Sequence, residues 1–365
     1  MEYQLTQCVW EITLACCFSC RYCGSRAGHV RDNELSTEEC LRVAGELQEL
    51  GCRRVSMIGG EVFMRKDWNV LVGRLTELGI AVNVITNGFL FSDEILQELK
   101  RLHVESVAVS VDGPREVHDR YRQQGSYDRA FAAIRALAGA GIPVSVISTL
   151  NADNSTRLEE LYRDLLEVPI FAWQLQACSP MGNAGNGGVD FRFDPGAVIG
   201  FVESHMRQAP FCLGVADNIG YFTPGEGSIR GNMSGRAYFR GCSAGLSVIG
   251  IDSIGNVRGC ESMYDDCFIE GNLRNQSLRD IWDNPDAFAY NRKFTPDRLT
   301  GRCSTCEMGP FCGGGCRSYN YFVHGRMYES PFCARTGEET DEGTGARTDE
   351  RTDEEPEKHG IFTKN

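Results

Sequence analysis

Cys16, Cys20 and Cys23 stand in a C-x3-C-x2-C run directly after a short apolar stretch at residues 9–13. Thiolates are soft ligands, and three on one tight loop fall one short of the four that a structural zinc site takes. Three do suffice for three irons of a cubane [4Fe–4S] cluster, which leaves the fourth iron free for a small molecule. That vacancy turns a metal site into a reactive one. Cys17 leaves the register open, because Cys17, Cys20 and Cys23 are also evenly spaced.

A second cysteine set follows a different pattern. Cys242 is followed by Gly255 and Cys260, then by Cys303-x2-Cys306-x5-Cys312-x3-Cys316, and last by Cys333. A zinc ribbon on Cys303, Cys306, Cys312 and Cys316 would leave Cys242, Cys260 and Cys333 without a purpose. Between the two sets stands Gly59-Gly60-Glu61, where two glycines admit a close approach to the backbone and the carboxylate can accept a bond from an ammonium group.

The elements that must position these residues alternate. Apolar, β-rich runs at 9–13, 55–58, 82–86, 106–111, 144–150 and 172–177 read as strands, nearly continuous in apolar character as parallel strands covered on both faces would be. Helical patterns at 36–50, 68–78, 93–102, 127–140 and 155–166 separate them, with Ser36 and Glu39 as a capping box and Gly51 and Gly79 as stops. Repeated strand–helix units with right-handed crossovers predict an α/β fold, a partial (β/α)6 TIM-like barrel with a lateral opening. Gly59-Gly60-Glu61, Thr86-Asn87-Gly88 and Ser110-Val-Asp112-Gly113 then fall at the carboxyl ends of strands, where barrels bind ligands. Four regions are expected: the barrel at 1–180, a glycine-rich bridge with substrate contacts at 181–241 containing a helix at 195–206, a small cysteine-rich module at 242–335, and a disordered tail at 336–365.

With Tyr22 before its last cysteine, the N-terminal loop resembles the signature of radical S-adenosylmethionine (SAM) enzymes, and the C-terminal pattern is similar to the seven-cysteine SPASM domain. The resemblance implies three [4Fe–4S] clusters and SAM as cofactors. Cys16, Cys20 and Cys23 would carry the SAM-binding cluster, with Cys17 packed against the barrel. Tyr22, Gly59, Gly60, Glu61, Asn87, Ser110 and Arg122 would line the SAM site. Cys242, Cys260 and Cys316 would hold the auxiliary cluster nearer the active site, and Cys303, Cys306, Cys312 and Cys333 the outer one. Fully ligated relatives have a further cysteine where this chain has Arg236. The fourth position of the inner cluster is therefore left to Cys212, to Cys267, or open. Glu261 stands where relatives place a catalytic base, and the other reading makes it a solvated surface acid. Ser277 to Trp282 matches a short helix of these domains.

The function implied is an oxidoreductase that generates a 5′-deoxyadenosyl radical to oxidise or crosslink a ribosomally made peptide. An electron donor such as flavodoxin or ferredoxin would serve it, together with a separate leader-binding protein or the 181–241 region for leader recognition. The alternatives are oxidation of a small amino sugar or aminocyclitol and, outside enzymes, an iron–sulfur or zinc redox-sensing scaffold. Seventeen cysteines in 365 residues without a signal-peptide pattern point to metal or redox chemistry in the cytoplasm rather than disulfides. No apolar run approaches the roughly 18 to 20 residues of a membrane span. The net charge of −13 disfavours a nucleic-acid partner, and ten acids against Arg347 and Arg351 between Glu338 and Glu357 put most of that charge in the tail.

Overall fold

The valine- and isoleucine-rich runs form strands within a residue or two of where their composition places them: β1 (Gln7–Glu11), β2 (Arg54–Ile58), β3 (Ala81–Thr86), β4 (Ser106–Ser110), β5 (Val144–Leu150) and β6 (Ala172–Ala177). The computed structural model describes residues 3–234 and 238–335. The acidic tail from 336 and the position of Arg236 lie outside the described residues. Between the strands lie α1 (Thr37–Glu49), α2 (Trp68–Glu77), α3 (Asp93–Arg101), α4 (Arg115–Tyr121), α5 (Ser126–Gly139) and α6 (Leu158–Leu166). Ser36 and Glu39 form the reciprocal capping box of α1, a device worth about 1 kcal/mol. Gly51 ends the same helix at φ 82°, a left-handed conformation that other residues adopt at a cost.

The sheet is larger than six strands. After α7 (Pro195–His205) the chain adds β7 (Cys212–Val215) parallel to β6, and after α8 (Glu226–Ser234) it adds β8 (Val248–Ile251) parallel to β1. Two short antiparallel strands, β9 (Asn256–Arg258) and β10 (Gly271–Asn272), complete the order β10-β9-β8-β1-β2-β3-β4-β5-β6-β7. The order is open, with β7 and β10 at its two ends, so the barrel is partial. The sheet runs on past both residue 181 and residue 242.

In β3 and β5 the two faces differ, whereas β4 is buried on both faces over residues 106–109, as strands covered on both sides would be. Val82 and Val84 of β3 and Val144, Val146 and Leu150 of β5 are buried in the core beneath the helices. The alternate positions, Asn83, Ile85, Ser145, Ile147 and Thr149, are half-buried and turn to the barrel interior. Hydrophobic burial of the outer face holds the sheet together; the inner face stays half-buried because it must leave room for ligand.

Candidate functional site

The N-terminal cysteine loop is tied down before any ligand binds. Gly28 N donates to Leu14 O at 3.0 Å and Cys16 N to Gly28 O at 3.1 Å, closing the loop at its base. Glu34 Oε1 accepts from Leu14 N at 2.7 Å. Within the loop, Phe18 N points at Cys16 Sγ (3.4 Å) and Ala27 N at Cys23 Sγ (3.3 Å), the N–H to sulfur contacts that favour a thiolate. Burial pushes the Cys20 thiol up to about 11, against the pull of Arg122. The contact between Cys16 and Cys17 raises the Cys16 thiol and lowers that of Cys17, and Asn87 Nδ2 stands 3.5 Å from Cys17 Sγ and 4.0 Å from Cys16 Sγ. Among the described residues no three His, Cys, Asp or Glu side chains converge on a point that would hold a single metal ion. A cubane needs a wider spread, because each thiolate sits on its own iron.

Gly59 and Gly60 follow β2, and their lack of side chains serves the loop first. A Cβ on Gly60 would run into the Ala15 carbonyl, and one on Gly59 would lie 2.8 Å from Thr13 O. Gly60 N and Glu61 N donate to Thr13 O and Ala15 O, each at 2.8 Å, so this turn clamps the backbone leading into the cysteines. The Glu61 carboxylate is buried and accepts from Thr86 Oγ1 (2.7 Å), Asn87 N (2.9 Å) and, at 3.4 Å, Phe63 N. It joins the ends of β2 and β3. Burial raises its pKa while those hydrogen bonds lower it.

The end of β4 forms a second knot. Ser110 is half-buried and faces the interior. Asp112, fully buried, accepts hydrogen bonds from Tyr22 Oη and Arg122 Nε, and from Thr149 N at 2.9 Å. Arg122 lies over the Tyr22 ring, 5.5 Å from its centroid. Asn154 Nδ2 bridges the carbonyls of Asp112 (2.7 Å) and Thr149 (2.8 Å). His118 Nδ1 accepts from Asp112 N at 3.2 Å, so the ring is neutral, and burial lowers its pKa to about 4. Asp112, His118 and Asn154 were not among the expected site residues. Asp112 lies inside the Ser110–Gly113 stretch and could have been read there; the other two carry no signal of their own.

In the C-terminal module the cysteines assort into two groups. Cys242, Cys260 and Cys316 bear on one another electrostatically, and Cys242 and Cys260 pack around Met263 and Phe268. Cys303, Cys306, Cys312 and Cys333 form the second group, with Ser330 N directed at Cys303 Sγ (3.5 Å). The helix Leu278–Asp283 forms where it was read, with Ser277 and Asp280 as its capping box.

Glu261 is not a surface acid. A Cβ on Gly250 of β8 would collide with Glu261 N, so this segment lies on bare sheet backbone, and Glu261 is 9% exposed. Its Oε2 is buried without a hydrogen-bond partner among the described residues. Burial, then the neighbouring Glu11 charge, push its pKa well up. Around it stand paired charges: Glu11 with Arg31 at 2.6 Å and Asp252 with Arg258 at 2.9 Å, with Tyr264 Oη on Glu11 Oε2 at 3.1 Å.

Known proteins resemble this chain in sequence and in fold. Residues 10–165 match the radical SAM superfamily and residues 242–307 the SPASM iron–sulfur cluster-binding domain. The chain is 27% identical over 336 residues to an AdoMet-dependent heme synthase of Methanosarcina barkeri, covering 89% of this chain and 95% of the relative. It is 28% identical over 319 residues to the mycofactocin maturase MftC of Mycobacterium tuberculosis, covering 86% and 78%. In fold it is similar to SuiB of Streptococcus suis, solved with S-adenosylmethionine (TM-score 0.73, 17% identity, 90% of this chain and 76% of that one) and with the precursor peptide SuiA (TM-score 0.71, 17% identity, 90% and 75%).

Proposed function

Because the chain belongs to the radical SAM superfamily and carries a SPASM domain behind its barrel, we propose that it oxidises or crosslinks a ribosomally made peptide. The observation that carries this reading is the character of the inner wall. Thr149, Gln174 and Gln176 at β5 and β6 are half-buried, neutral hydrogen-bonding groups, with Gln176 Nε2 on Thr149 Oγ1 at 3.0 Å. Arg31, Arg122 and Arg258 already have carboxylate partners in Glu11, Asp112 and Asp252. Amide and hydroxyl groups match a peptide backbone, whereas a polycarboxylate would call for unpaired cations.

The residues present fit the implied cofactors: thiols with N–H donors aimed at two of them for the first cluster, and two further cysteine groups behind it. When bound, the cluster and SAM supply a 5′-deoxyadenosyl radical that takes a hydrogen atom from the substrate. The chain's own part is positional and protonic. Gly59, Gly60 and Glu61 hold the loop against the ends of β2 and β3; Tyr22, Asn87, Ser110 and Arg122 line the space beyond, and Asp112 orients Arg122. Glu261 Oε2, buried with no hydrogen-bond partner among the described residues, would serve in its ionised form to take the proton that a two-electron oxidation releases. A flavodoxin- or ferredoxin-like donor would supply the electron for SAM cleavage, the C-terminal cysteine groups would hold clusters able to take up the electron left on the substrate, and a separate leader-binding protein would present the substrate.

A second reading follows from the heme synthase likeness, which extends over 95% of that relative: a carboxylated tetrapyrrole as substrate. Anaerobic co-expression with each short peptide encoded in the gene's neighbourhood, followed by mass spectrometry, separates the two. Loss of two hydrogens or a new crosslink in the peptide supports the first reading. An unchanged peptide, with 5′-deoxyadenosine formation stimulated by a carboxylated porphyrin instead, supports the second.

A further inference from the structure

Resting on that reading, the inner auxiliary cluster has three cysteines, Cys242, Cys260 and Cys316, for four irons. Neither spare cysteine is placed to complete it. Cys212 opens β7, its N–H bonded to Phe171 O just ahead of β6, which puts it at the foot of the barrel. Cys267 is exposed, with its Sγ turned to Tyr321 Oη at 3.7 Å.

The loop at the other end of β7 does reach this group. Tyr221 is 2% exposed, and its ring packs where a Cβ on Gly315 would lie 2.9 Å from Cε2. Its hydroxyl accepts from Cys316 N at 3.1 Å and donates to Asp217 O at 3.0 Å. One buried hydroxyl therefore fastens the Asp217 backbone to that of a cluster cysteine. The Asp217 carboxylate is half-exposed and loosely held: Oδ1 lies 3.5 Å from Arg230 Nη1, the outer limit of a hydrogen bond. That guanidinium is spent elsewhere, on Glu226 Oε1 (3.2 Å) and the carbonyls of Ala216 (3.2 Å), Ile219 (2.8 Å) and Gly220 (2.6 Å).

We propose that Asp217 is the fourth protein ligand of the inner auxiliary cluster, among the described residues. A carboxylate oxygen is a harder donor than a thiolate and bonds iron less covalently, so the iron it holds differs from the other three. A loosely held carboxylate is also one that a substrate group can displace.

The test uses full-length protein in which Cys16, Cys20 and Cys23 are alanine, so that only the auxiliary clusters remain. Iron content, Mössbauer and electron paramagnetic resonance spectra are compared for this background and for added Asp217→Ala and Asp217→Cys. Asp217 is half-exposed, so both variants should fold, which circular dichroism checks. The proposal expects Asp217→Ala to lose one iron of the inner cluster and show a [3Fe–4S] signal on mild oxidation. Asp217→Cys should keep full iron with a shifted spectrum. Spectra and iron unchanged in both variants would overturn it. Removing Cys242 tests the parent reading separately: if that leaves iron unchanged, there is no inner cluster for Asp217 to cap.

Discussion

Tyr22, one residue before the last cysteine of the N-terminal loop, donates its hydroxyl to the buried carboxylate of Asp112 beyond the end of β4. The cysteine loop and the end of β4 are thus fastened together, with Arg122 on the same carboxylate. Asp112→Asn should cost about 3 kcal/mol, because it leaves Arg122 buried beside a neutral amide. Tyr22→Phe should cost about 2 kcal/mol, a hydrogen bond to a charged group. Urea unfolding of the anaerobic holoprotein measures both, and Asp112→Asn should also weaken SAM binding in equilibrium dialysis.

Gly60 tests how closely the cysteine loop is docked. Its missing Cβ leaves room for the Ala15 carbonyl. Gly60→Ala has to push that backbone away, so the protein should keep its fold but reconstitute with less iron, by one cluster's worth. Gly79→Ala, at a helix stop with open space around it, should leave iron content unchanged.

His118 sets a pH dependence of known sign. Its ordinary value is 6.5 and burial lowers it to about 4 in the folded protein. The unfolded chain therefore binds a proton that the folded chain refuses over that interval, and stability falls as pH drops from 6.5 toward 4. Over the whole interval the loss is about 3 kcal/mol. His118→Asn, which keeps an acceptor for Asp112 N, should flatten this slope in urea titrations run across the interval.

Glu261 has the opposite sign. Its pKa is raised on folding, so the folded protein holds a proton that the unfolded chain releases above about 4.5, and stability declines as pH rises toward the folded value. Glu261→Gln should remove that decline and leave neutral-pH stability unchanged or higher. If Glu261 takes the substrate proton, the same variant still makes 5′-deoxyadenosine from SAM while product formation falls by about 100-fold or more. Equal loss of both products would assign it a structural role instead.

Local signals carried much of this architecture, and long-range packing carried the rest. The Ser36–Glu39 box, the Gly51 stop and the β-rich runs each declare themselves within a few residues, and they fall where expected. β7 did not, because Cys212–Val215 is only four residues long, contains Gly214 and follows Pro210. Its strand character comes from pairing with β6. Sequence leaves Glu261 open between a catalytic base and a surface acid; its burial comes from the bare backbone of Gly250, a strand away. Glu61 in sequence reads as an acceptor for an ammonium group, and nothing local announces that its carboxylate also ties two strands together. Its occupation by Thr86 and Asn87 follows from β2 and β3 being neighbours, which only the fold reveals.

The central claim is that Cys16, Cys20 and Cys23 hold a cluster with one iron open to SAM. The most direct measurement is anaerobic incubation of reconstituted protein with dithionite and SAM, with 5′-deoxyadenosine followed by chromatography and mass spectrometry. The account predicts the nucleoside from the wild-type protein and from Cys17→Ala, and none from protein with Cys16, Cys20 and Cys23 replaced by alanine. Nucleoside formation that survives the triple replacement, or that disappears with Cys17→Ala while Cys16→Ala retains it, would contradict that ligand set.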